Sequence, residues 1–491
     1  MKKIKNSDAI VLGIYVLVIF ISMFVFYTSV KMLTISDPDD WTYISKIRIP
    51  FPSLNEYNPA KVFPETIMGL CGYFAAYVIY PIIGDYTWSM TFVYASVVSL
   101  VIAVSIVCVC TLIKNLLHCN LWTSISGSLV FFLLHFIIFK AGENNNNFLL
   151  TASNLNCFMN YTIPLLSCFI MAMFIFKEYI NCENDKPCYL GSGKKTIIIG
   201  LVLLWSYLNI FSNMICNIIL VAPITFLFLR NALIALKGKS FNKKFFIENY
   251  MYEYILLLEM ICLFFEGNGN RAASFEVNWM SAIENTLHDL KGIVGIIDKK
   301  IIVLCVLIVV VSLIVHVLGG CSNQKFTKIL LVGLYSFALT YIYICLLYTR
   351  INSHYFIYME CLYPIFIYFL FIVCVASGYI IDKFKAIRCF MPLILYMGIC
   401  LVVTRDYKPS SSGYSGNDDI RHMVNENIVS QYIEADRRRE ATFELHIPEE
   451  GLGQYWFTGE RISKTMFRHG VTSKLIPVTC VLEPMEYFLE E

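Results

Sequence analysis

Charge is what this chain lacks. Only 15% of its 491 residues are Asp, Glu, Lys or Arg, where a soluble domain carries roughly 25%. No Cys-x-x-Cys pair and no Cys/His spacing of a metal site occurs, although there are 18 Cys. Most of them, such as Cys108, Cys110, Cys262 and Cys374, lie inside apolar runs and read as small apolar side chains. Tandem repeats are missing, and so are the matched Gly/Pro-broken halves of many transporters. No Ala-x-Ala site follows the first apolar run, which therefore reads as an uncleaved signal-anchor. A net charge of +2 gives no pointer to nucleic acid or to acidic partners.

In place of charge the chain has Ile, Leu, Val and Phe in runs long enough to cross a bilayer, at about 20 residues per crossing. Its fold class is therefore an all-α polytopic integral membrane protein with about eleven spans. They centre on 10–29, 88–113, 121–139, 161–176, 196–212, 215–229, 250–265, 301–318, 329–348, 361–381 and 389–404. The apolar segment 64–84 carries Gly, Pro and Glu65 and reads as interfacial or re-entrant. With that choice and a cytoplasmic N-terminus, Lys and Arg concentrate in the inner loops, as the positive-inside rule requires. If 64–84 crossed, the bias would reverse. The same choice puts 31–87, 140–160, 266–300, 349–360 and the C-terminus on the outer face.

Two domains are expected. Residues 1–404 form the membrane domain with its first outer loop at 31–87, and 405–491 form an outer C-terminal domain. The second opens with a Ser/Gly/Pro linker, "DYKPSSSGYSGNDD". Helical spacing over 420–433 follows, with Asp418–Asp419 as its N-cap, and then strand candidates at "ATFELHIP" and "KLIPVTCVL". This is a small α/β appendage. Its segment 453–470 mixes aromatics with Arg461, Lys464, Arg468 and His469, suiting either an amphipathic helix or a polysaccharide contact.

The chemistry concentrates in "TISDPDDWTYISKIRIP", 34–50, directly after the first span. Asp37, Asp39 and Asp40 are either turn caps beside Pro38 or carboxylates at the mouth of a cavity. In the second case one of them can take a proton from a hydroxyl as that oxygen attacks an activated sugar carbon. Trp41 and Tyr43 suit stacking on a sugar or anchoring at the interface. Asn55, Glu56, Asn58, Lys61 and Glu65 could line an acceptor groove or serve as interface-helix caps with a snorkelling Lys, and Asp85 is either a partner carboxylate or a helix cap. Arg271 and Arg350, with His354 after it, stand at outer ends of spans and could pair with a lipid phosphate; snorkelling is the alternative. Glu259 reads as a buried structural acid ahead of a member of a proton path, His316 as a packing histidine, and Asn209, Ser212, Asn213 and Asn217 as a polar patch at a tight turn that could face the cavity. The Asn160-Tyr161-Thr162 sequon matters only in a eukaryotic secretory context, and the Ile/Asn/Lys/Tyr bias suggests a bacterial chain.

An acidic pair opening a long outer loop after the first span, about eleven spans and a soluble C-terminal tail resemble the polytopic GT-C glycosyltransferases. The layout is most similar to the bacterial Gtr-type glucosyltransferases that decorate O-antigen. The resemblance implies an inverting transfer of a sugar, glucose foremost, from an undecaprenyl-phosphate donor to a cell-surface polysaccharide acceptor. It implies a carboxylate base at Asp39 or Asp40, with Asp37 beside them. It places the protein in the bacterial inner membrane, among membrane lipid, with a flippase and a donor-synthesising glycosyltransferase as partners. A divalent cation is left open, and no metal-binding residues are assigned. A flippase of lipid-linked sugars and a polysaccharide polymerase are the competing classes.

Overall fold

The computed structural model describes residues 6–141, 147–152, 154–183, 186–190, 196–239, 241–270, 279–321, 323–351, 358–407, 417–449 and 458–489. Among these, nine helices are long and apolar enough to cross a membrane. The chain is a multi-pass, all-α membrane protein in class. The count differs from eleven for local reasons. Leu121–Ile137 and Thr196–Ile210 are short apolar helices, and Tyr250–Gly267 carries Glu253, Glu259 and Glu266 in 18 residues. Conversely Val62–Ile83, expected to be interfacial, is one continuous 22-residue apolar helix.

The polar ends of the helices gather in two groups. At one end of the bundle Lys114 pairs with Asp8 at 2.7 Å and Lys325 meets His118 at 3.1 Å. There Arg230 also donates to the Glu183 and Lys186 carbonyls, and Lys328 to the Cys182 carbonyl. At the other end Tyr27 donates to the Leu150 carbonyl, Asn213 to the Asn160 carbonyl, and the Asp298 N–H to the Ile138 carbonyl. Arg405 closes the Leu121–Ile137 helix there by donating to the carbonyls of Phe136, Lys140 and Asn147.

Both ends of the Val62–Ile83 helix belong to this second group. Its first N–H groups, at Val62 and Phe63, bond to the Phe211 carbonyl in the turn after Thr196–Ile210. Its far end turns at Gly84, φ +81°, into Asp85, the N-cap of Tyr86–Leu117. The helix thus spans one end of the bundle sideways. The loop before it lies flat against it, because Gly69 and Gly72 present no side chain. A Cβ at Gly69 would sit 2.5 Å from the Lys46 carbonyl oxygen, and one at Gly72 would collide with the Ile44 carbonyl.

The C-terminal residues dock on the same end. Helix Asp418–Arg437 is capped by Asn417, not by the acidic pair expected, since the Asn417 side chain accepts from the Asp419 and Ile420 N–H groups. Strands β1, Phe443–Pro448, and β2, Val478–Glu483, pair in parallel. Helix Gly459–Arg468 joins them, because parallel neighbours require a crossover connection. Ile462, Thr465, Met466 and His469 are buried, leaving Arg461, Lys464 and Arg468 on another face of this tail helix.

Candidate functional site

The acidic stretch folds as a short helix, Pro38–Tyr43. Pro38 suits the first helical position because no N–H is needed there, and Asp37 caps it by accepting from the Asp39 N–H at 2.8 Å. One turn of helix sends the three carboxylates in different directions. Asp40 is fully buried. It accepts from the Ser36 N–H at 2.9 Å and from the Asn156 N–H at 2.5 Å, which ties the loop to the start of the Leu155–Asn181 segment. Burial, with Asp37 nearby, pushes its carboxyl up to about 7, against the pull of the backbone N–H groups of Ser36, Asn156 and Leu155.

The sign of the resulting pH dependence follows. A carboxyl whose pKa is higher folded than unfolded stabilises the fold fully below its unfolded value, 3.8, and loses that contribution as pH rises through about 7. Thermal melts of the wild type are expected to fall by several degrees between about pH 5 and about pH 8 from this group. An Asp40→Asn variant removes that component. Identical pH profiles for the two proteins would refute the assignment.

Asp39 points elsewhere. Its carboxylate is half-exposed and pairs with Arg461 of the tail helix at 2.7 Å. Both line a cavity of about 790 Å³. The loop and the Val62–Ile83 helix contribute Thr42, Tyr43, Lys46, Asn58, Lys61 and Glu65 to its wall, the start of Leu155–Asn181 contributes Asn156 and Asn160, and the tail helix contributes Glu460, Arg461, Lys464 and Arg468. Five cationic side chains face three carboxylates there, so the cavity favours an anion. Behind the wall Arg48, itself buried, bonds Glu65 at 2.9 Å and the Asn58 and Pro59 carbonyls. A buried carboxylate needs such a partner. Lys61 lies over the Tyr161 ring at 5.1 Å.

The tail helix is held firmly enough to be part of the wall. Thr465 bonds Ser45 at 2.7 Å and the Trp41 carbonyl, and Tyr77 donates to the Arg468 carbonyl. Burial drives the His469 imidazole down to about 4. Neutral, it donates from Nε2 to the Ile44 carbonyl and accepts the Tyr86 hydroxyl at Nδ1, 2.6 Å away. Further along, Asn425 donates to the Ile35 carbonyl, Glu426 accepts the Thr87 N–H, and Lys31 pairs with Asp418.

Of the residues expected to act, Asp39, Tyr43, Asn58, Lys61 and Glu65 share the cavity. Asp37 and Asp40 hold the loop's shape instead. Trp41 is no sugar platform: it is 1% exposed and stacked on Tyr86. Glu56 pairs with Lys46 at 3.0 Å outside the cavity lining. Asp85 is the helix cap, accepting the Trp88 N–H and meeting His422 at 3.1 Å. Arg271 and His354 lie outside the described residues, as does the side chain of Arg350. The polar patch at 209–217 turns inward, with Asn217 donating to Glu259 at 2.6 Å. His316 is satisfied by Tyr379 and Thr327.

Residue-by-residue reading missed Lys46, and it did not join the tail cations to the loop that carries Asp39. The spacing of Arg461, Lys464 and Arg468, three and seven residues apart, already puts them on one helix face; only docking turns that face towards Asp39. Among the described residues no group of three His, Cys, Asp or Glu side chains converges. No family model, no curated protein and no solved structure matches the chain.

Proposed function

We propose that this protein is a membrane glycosyltransferase that moves a sugar, glucose foremost, from a polyprenyl-phosphate donor to a polysaccharide on the outer face of a bacterial inner membrane. The observation that carries this reading is the cavity where Asp39 and Glu65 meet five cationic side chains at one end of the bundle. In about eleven traverses, with Val62–Ile83 lying along the outer surface, the lysine-rich end faces the cytoplasm. The cavity end and the tail then face outward.

An inverting transfer needs one base and a stabilised leaving group. Asp39, whose carboxylate borders the cavity, accepts the proton of the acceptor hydroxyl as its oxygen attacks the anomeric carbon. The bond from that carbon to the phosphate oxygen breaks, and its electron pair stays on the polyprenyl phosphate. Lys46 and Lys61 compensate the charge that develops there. Glu65, fixed by Arg48, is placed to accept a hydroxyl of the sugar or of the acceptor.

The test uses the full chain in liposomes with undecaprenyl-phosphate-[14C]glucose and a polysaccharide acceptor lacking its side-branch sugar. Label passing into the polymer is the expected result. Export of intact lipid-linked sugar without transfer would establish a flippase, and lengthening of the polymer without a new branch would establish a polymerase.

A further inference from the structure

The tail helix does more than close the cavity. Its buried face, with Ile462, Thr465 and Met466, packs inward, and Thr465 fixes it to the loop that carries Asp39. Three cations one turn apart therefore stand at a set place in the wall. Each is lightly committed. Arg461 uses one guanidinium nitrogen on Asp39, with the two side chains 40% and 53% exposed. Lys464 rests on Glu460, a neighbour on its own helix that is 78% exposed. Arg468 has no ion-pair partner among the described residues. Ion pairs this exposed are weak and exchange readily, whereas a phosphate offers an arginine fork two parallel hydrogen bonds.

We propose that Arg461, Lys464 and Arg468 form a phosphate-binding subsite carried by the C-terminal tail, and that Arg461 passes from Asp39 to the phosphate, uncovering the Asp39 carboxylate. This deepens the glycosyltransferase reading and rests on it. The base is covered by its own ion pair until a phosphate takes the guanidinium away. The tail, which follows the last membrane helix, becomes the element that couples donor binding to base activity. No covalent bond changes in this step; one ion pair replaces another.

The experiment is a binding titration on the purified full-length protein in nanodiscs, with farnesyl phosphate, farnesol and inorganic phosphate as the three probes. The wild type is expected to prefer farnesyl phosphate to farnesol. Arg461→Gln and the double variant Lys464→Gln/Arg468→Gln should each lose about tenfold or more of that preference, because rim and cavity charges act on binding directly. Asp39→Asn should bind farnesyl phosphate several-fold more tightly, because Arg461 no longer has to leave a carboxylate. A merely structural Arg461 would not produce that opposite effect. Displacement of farnesyl phosphate by millimolar inorganic phosphate marks a site for the free anion; resistance to it marks the lipid head group. Unchanged preference in both cation variants overturns the inference and leaves sugar transfer standing. A wild type that does not distinguish the phosphate from the alcohol overturns both. If Arg461→Gln fails to assemble, Lys464→Gln/Arg468→Gln, whose side chains make no docking bond among the described residues, decides the matter.

Discussion

Asp39→Asn is expected to insert and fold as the wild type does and to transfer no measurable sugar. A positioned general base contributes roughly 10²–10⁴ in rate. The replacement keeps the volume and the hydrogen bond to Arg461 but removes the capacity to take a proton. Its cost to stability should be small, since a half-exposed ion pair is worth about 0–1 kcal/mol. Asp40→Asn should behave differently. Asp40 is enclosed and holds the Ser36 and Asn156 N–H groups, so its loss should fall on thermal stability and on pH dependence first. The two measurements are initial rate with undecaprenyl-phosphate-glucose and the melting temperature of the same preparations. Retained transfer by Asp39→Asn, or by the Asp39→Asn/Asp40→Asn double variant, would end the assignment of the base.

Among the described glycines, Gly72→Ala should add the most damaging methyl group. The added Cβ meets the backbone carbonyl of Ile44, not the tip of a side chain, so the loop itself has to lift from the Val62–Ile83 helix. Overpacking of this kind costs about 1–3 kcal/mol and occasionally more. The damage should spread, since Ile44 and Ser45 also receive His469 and Thr465 of the tail. Limited proteolysis is expected to release the C-terminal residues from Gly72→Ala while they remain protected in the wild type, with loss of transfer in parallel. Gly13→Ala is the control, because nothing lies within 4 Å of its added methyl. Equal protease resistance in both variants would mean that the loop does not rest on the helix.

Some of this was legible early. The apolar runs located the membrane helices because a bilayer imposes a length and an apolar composition that composition alone reveals. Helical spacing and alternation found the tail elements because a half-buried helix or strand repeats its apolar residues at a fixed period. The Val62–Ile83 helix was harder. Its composition fits a span, and the lysine distribution around it argued for a surface position; its two anchors, at Phe211 and at the Asp85 turn, lie at the same end of the bundle.

The individual acids and aromatics were not legible. Asp37, Asp39 and Asp40 have the same chemistry on paper, yet one turn of helix makes the first a cap, the second a cavity wall and the third a buried tether. Trp41 looked like a platform for a ligand, and Tyr86, 45 residues later, covers it.

By itself the sequence determined the membrane class, the helical segments and the chemical inventory of the loop after the first apolar helix, because those follow from local hydropathy and spacing. The tertiary structure decided which carboxylate meets which cation. That depends on a contact between residue 39 and residue 461, bridged by a glycine-floored loop and a docked helix, and pairing across more than 400 positions leaves no local pattern to read.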